Sequence, residues 1–282
     1  MMKKSKVISA IVKSDFAGWI VNYKIYIVVI LLTVFCLDNY TNVFTFAEEV
    51  RYRVTPYLFP FLFTHPFMHL VIFTSVIFLF VNAPFVNSLQ MLMMSRSGKR
   101  IWYLSQIIYL IICTTILTFF LVMLPIVRNA DMIAIKNEWG KVWSTLAVNS
   151  DVVNPSSYYV ISRYLPGETM VYTLLMFILI VLFIGMLLMF CNTVFQNKSI
   201  GIVMAAAFVI LDWMSDITGS SGVLWASPIS WINISKMAYS RDTAVPSIAY
   251  GIIVLVLLNL ILMISTYIMS KKKDIAVIAN EV

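Results

Sequence analysis

The sequence predicts an all-α integral membrane protein, with six transmembrane helices, an amphipathic N-terminal helix, and short re-entrant or interfacial helices before the last span. Three observations carry this. Runs free of Asp, Glu, Lys and Arg cover 54–95, 101–127, 169–197 and 243–270, and each can hold a bilayer-crossing helix of about 20 residues. Hydrophobic residues make up 61% of the chain and charged ones only 12%, where a soluble domain carries roughly 25% charged. The apolar runs are continuous rather than alternating, which excludes a β-barrel pattern. The net charge of +7 lies between the apolar runs and at the termini, so it points to lipid headgroups and not to nucleic acid.

Taken in order, residues 1–23 form the amphipathic helix. Ile8, Ile11, Val12, Phe16, Trp19 and Ile20 recur mostly at 3–4 spacing, with Lys4, Lys6, Ser9, Lys13 and Ser14 opposite. Such a helix lies in the headgroup layer; the alternative is a plain cytoplasmic tail. The segment lacks the apolar core of a cleaved signal peptide. Spans are expected at about 25–46, 67–85, 101–125, 170–191, 199–217 and 247–269. The first carries Asp38 and Asn39, the second follows Pro56, Pro60 and Pro66, and the fifth meets Asp212 and Asp216 near its end. With the N-terminus in the cytoplasm, the inner segments hold 12 basic residues against 3 acidic, and the outer ones 8 against 10. The positive-inside rule therefore places both termini in the cytoplasm.

Three segments between spans invite function. In 87–100, Asn87 or Ser88 can cap a short helix, Leu89, Leu92 and Met93 would share one face, and Gly98 would end it. A Met-rich helix flanked by Arg96, Lys99 and Arg100 suits docking of a soluble protein; an ordinary basic loop that only sets topology suits the pattern as well. The outer segment 126–169 carries Trp139, Trp143, Tyr158, Tyr159 and Tyr164. A helix over 131–148 on the outer interface is expected, as an aromatic belt or as a lid. In 218–246, Gly219, Gly222, Pro228 and Pro246 interrupt an apolar stretch, which suits short re-entrant helices.

Familiar chemistry is missing from the chain. No phosphate-binding G-x-x-x-x-G-K-[ST] loop occurs, nor H-E-x-x-H, nor G-x-S-x-G. His65 and His69 stand four apart, but no carboxylate or Cys close in sequence completes a metal site, and none is expected. Cys36, Cys113 and Cys191 are far apart and read as small apolar residues. No ionisable group stands clearly at mid-span, which argues against a self-powered transporter. Asn82 and Asn259 are expected to bond neighbouring helices.

The order of elements resembles the permease subunit of type-2 ABC exporters. The stretch Trp225-Ala-Ser-Pro-Ile-Ser-Trp-Ile-Asn-Ile234, followed by Pro246 and the last helix, resembles that family's closing region. Leu89–Trp102, with its Ser-Arg-Ser-Gly-Lys-Arg core, resembles its first cytoplasmic loop. The resemblance implies that residues 1–282 form one permease domain whose N-terminal helix is the family's elbow. It implies that 87–97 is the coupling helix, so that Ser88, Leu89, Leu92, Met93, Arg96, Lys99 and Arg100 meet an ATPase. Two cytoplasmic ATPase subunits and a second permease copy or paralogue would complete the unit in a bacterial cytoplasmic membrane. ATP and magnesium would be bound by the partner, and this chain would bind no cofactor and catalyse no reaction. The path would lie between the permeases, along the first, second and fifth spans. Its substrate would be amphipathic: an antimicrobial, bacteriocin-like peptide, a drug or a lipid-linked molecule. Gly185, Gly201 and Ala205–Ala207 would allow close helix approach there, or equally within one chain. The competing readings are a non-transporting scaffold or immunity protein, and an intramembrane enzyme.

Overall fold

A computed structural model describes residues 4–86, 88–149, 155–237 and 244–272. Asn87, the side chains of Ser88 and Leu89, the Asp242–Thr243 pair and Lys273 lie outside the described residues. The helices are α1 (Lys4–Ala17), α2 (Tyr23–Glu49), α3 (Pro66–Phe80), α4 (Ser88–Ser97), α5 (Lys99–Arg128), α6 (Gly140–Leu146), α7 (Tyr158–Arg163), α8 (Pro166–Phe195), α9 (Lys198–Thr218), α10 (Ser221–Ala226) and α11 (Ile248–Lys272). Among the described residues, the only β-type pairing is an isolated bridge between Val54 and Ile133. Five helices, α2, α5, α8, α9 and α11, are long and apolar enough to cross a membrane. Their starts are written locally. The Asn22 side chain accepts from Lys24 N at 3.1 Å, and that of Asn197 from Ser199 N at 2.8 Å, which caps α2 and α9. Pro166 occupies the first turn of α8, where no N–H is needed.

Helix α8 is the central post. In its most apolar stretch 67% of residues are buried, against 11% in α11. It packs against α11, α9, α5 and α3. Gly185 lets it approach closely, since a Cβ there would stand 3.3 Å from both Leu110 of α5 and Phe80 of α3. Gly201 of α9 likewise faces Asn192 of α8, so both glycines serve packing within this chain. Asn259 Nδ2 donates to Leu179 O of α8 at 3.0 Å, the interhelical bond expected of it. Asn82 instead lies beyond the end of α3. The three cysteines are free and buried.

The second expected span differs. Helix α3 has 15 residues, which at 1.5 Å each fall short of a hydrocarbon core of about 30 Å. The preceding residues enter the protein without becoming α-helix, because Pro56, Pro60 and Pro66 interrupt that stretch. A short 3-10 turn, Phe59–Phe63, is wholly buried. The Tyr40 hydroxyl donates to Leu58 O at 2.8 Å, satisfying this irregular backbone from α2.

The outer helix over 131–148 is also corrected. Residues 140–146 alone are α-helical there. Upstream the backbone bonds elsewhere: Val54 N donates to Met132 O and Ala134 N to Val54 O, both at 2.8 Å. Gly140 turns the chain at φ 75°, packed so that a Cβ would stand 3.2 Å from Thr55. Trp139 and Trp143 are therefore not a belt. They are buried against Phe61, with ring centroids 5.2 and 4.4 Å away. The closing segment holds short helical pieces, α10 and two 3-10 turns, Ser230–Ile232 and Ile234–Lys236, before α11.

Candidate functional site

The corner between α1, α4 and α5 is the candidate docking site. Helix α4 ends at Gly98, whose φ of 85° is open to glycine. Its inner side is Gln90, Met93, Met94 and Ser97, at helical spacing. Its outer side carries Leu92, 62% exposed, with Ser95 and Arg96. Leu92 and Met93 thus do not share a face: buried Gln90 pins the helix and turns Met93 inward. Arg100 is exposed and Lys99 half-buried at the start of α5.

What pins Gln90 is a buried polar knot. Its amide N–H donates to Asp15 Oδ1 of α1. Gln106 Nε2 donates to Asp15 Oδ2 and to Gln90 Oε1, each at 3.3 Å. Trp102 Nε1 donates to Gln90 Oε1, and Phe85 N, in the link from α3 to α4, to Gln106 Oε1, both at 3.0 Å. Burial pushes the Asp15 carboxyl up to about 7, while the Gln106 amide pulls it down. One turn on, Trp19 Nε1 donates to Tyr109 Oη at 2.7 Å and seats the end of the N-terminal helix on α5. A cleft of about 170 Å³ opens beside the knot, lined by Asp15, Asn22, Asn82 and Lys198 among others. Leu92 and Arg96 are thus presented on a helix tied to α1, α5 and the link from α3, with exposed Arg100 at the start of α5.

Asp15, Gln90, Trp102 and Gln106 were not expected as a unit. One signal was available: Asp15 falls in phase with Ile8, Ile11, Val12 and Trp19, on the apolar side of its helix. The glutamines sit 16 residues apart on different helices, and no spacing rule connects them.

A second polar cluster lies near the opposite end of α9. His69 Nδ1 is 2.9 Å from Asp212 Oδ2, and its Nε2 is 2.7 Å from Phe63 O. Ser230 donates to Asp212 Oδ1 at 2.8 Å, and its oxygen is 2.8 Å from those of Ser215 and Ser227. The expectation that no carboxylate meets the histidines is overturned. Asp212 is 143 residues from His69 in sequence and reaches it through the packing of α3 on α9. His65 stays apart, capping α3 by accepting from Phe67 N at 3.3 Å. The cluster holds Ser, His and Asp, but it is not a nucleophile relay. Such a relay needs the hydroxyl on the imidazole, and here Ser230 bonds the carboxylate while Nε2 faces a carbonyl. His69, Asp212 and Ser230 are also sealed, at 1%, 2% and 0% exposure.

Comparison with protein-family models, with curated proteins and with solved structures gives no match for this chain.

Proposed function

We propose that the chain is the membrane-spanning subunit of an ATP-driven exporter. In this reading α3 and its buried approach serve as a sixth membrane segment, α1 is the elbow, and α4 docks a separate ATPase. The observation that carries it is the two-sidedness of α4. Its inner side is bonded to α1 and α5 through Asp15, Gln90, Gln106 and Trp102, and its outer side offers Leu92 and Arg96 to solvent. A force on such a helix is passed on, because moving α4 alone would strand buried donors and acceptors at about 1–3 kcal/mol each. Lys24, Lys99 and Lys198 begin α2, α5 and α9, which suits a cytoplasmic face at this end.

Helices α2, α3 and α9 lie side by side. They expose Ile30, Val34, Leu70, Val203 and Ile210. An apolar face of that kind suits a second permease across an amphipathic substrate. Asp212 has its partners inside the chain, His69 and Ser230.

Purification from native membrane in mild detergent tests the reading. A stoichiometric ATPase is expected by mass spectrometry, and reversal of Arg96 and Arg100 to Glu is expected to reduce its recovery at least about tenfold, the loss of roughly 1.4 kcal/mol or more. A chain that purifies without an ATPase overturns the proposal in favour of a scaffold.

A further inference from the structure

We propose that His69, Asp212 and Asp216 bind one first-row divalent metal ion where α9 meets the closing segment. The inference is independent of the exporter reading. The donor atoms of the three residues all lie within 4.8 Å of one another. Asp212 and Asp216 are four apart on α9 and so share a face.

The surroundings are those of a prepared ligand set. His69 Nε2 donates to the Phe63 carbonyl at 2.7 Å, and so leaves Nδ1 turned toward the carboxylates. Metal-binding imidazoles are commonly held this way, by a carbonyl or carboxylate on the other nitrogen. Asp212 is oriented in the same manner, since its Oδ1 accepts from Ser230 while Oδ2 faces Nδ1. Asp216 Oδ1 pairs with Lys236, and its Oδ2 is buried with no hydrogen-bond partner. One imidazole nitrogen and two carboxylate oxygens suit zinc, with a fourth position left over. Calcium prefers 6–8 oxygen ligands at longer range. Bonds of about 2.0–2.1 Å in a tetrahedron place donors roughly 3.3 Å apart. The Nδ1–Oδ2 pair at 2.9 Å must open slightly and the widest pair must close.

Without an ion, Nδ1 faces Asp212 Oδ2 directly, 2.9 Å away. Entry is past the half-open pair: the Asp216 and Lys236 side chains are 14% and 23% exposed, while those of His69 and Asp212 are 1% and 3% exposed.

Calorimetric titration of the chelator-treated chain with Zn²⁺ tests the site. The expected result is one ion per chain, and a Co²⁺ adduct with the absorption of a low-coordinate N/O site. Asp216→Asn is expected to weaken Zn²⁺ binding by more than about tenfold, with an unchanged melting temperature in chelator showing that it folds. Lys236→Met is expected to tighten it, by removing a competing cation. Absence of stoichiometric Zn²⁺, or equal binding by Asp216→Asn, overturns the proposal.

Discussion

Asp15 shows how one residue can tie a surface helix to a bundle. It accepts two amide N–H bonds where only 8% of its surface is open. With its carboxyl pushed from 3.8 to about 7, the folded chain holds a proton there over a range in which the unfolded chain has released it. Stability from this group is therefore full below the unfolded value and falls as pH rises toward 7. Melting temperature in detergent is expected to drop between pH 5 and pH 8 in the native chain. Asp15→Asn has no proton to lose, and its melting temperature is expected to change less over the same interval. Equal changes in the two chains would show that other groups set the pH response.

Helix α3 illustrates how an element is closed by its neighbours rather than by its own sequence. Just past its end, the Val81 and Ala83 carbonyls accept from Asn192 Nδ2 of α8, at 3.0 and 2.6 Å. Asn192 is itself held in place by Gly201 of α9, where a Cβ would collide with Asn192 Oδ1. Gly201→Ala is therefore expected to push Asn192 off these carbonyls and to cost about 1–3 kcal/mol. Gly251 provides the contrast. A Cβ there would come 2.7 Å from Met176 Cε, the tip of a flexible chain that can turn aside. Gly251→Ala is expected to be tolerated, so comparing the two melting temperatures checks the argument. A larger loss at Gly251 would refute it.

For the molecule as a whole, the proposed orientation places α4 and α6 on opposite sides of the bilayer. The native cysteines are buried, so they give little background to a membrane-impermeant maleimide. Cysteine at exposed Ser95 of α4 is expected to label only in inside-out vesicles, and at exposed Thr145 of α6 only in right-side-out ones. Labelling of both from one side would reject the orientation. Membrane character, the five long helices and the short helix over 88–97 were legible because they depend on local quantities: the length of a charge-free run, a capping residue, a glycine. The outward set Leu92, Arg96 and Arg100 was legible in part for the same reason, while the side that Met93 takes was not. That side depends on Gln90 finding Asp15, 75 residues away. The shortness of α3 was foreshadowed by its prolines, but the burial of Phe59–Phe63 needed Tyr40 to satisfy the backbone. The pairing of His69 with Asp212 left no trace in spacing. By itself the sequence determined that this chain is a bundle of apolar helices with basic residues clustered between them, because hydrophobic transfer acts along the chain. Only the tertiary structure decided which polar residues meet inside it, because a buried donor must find its acceptor wherever packing brings one.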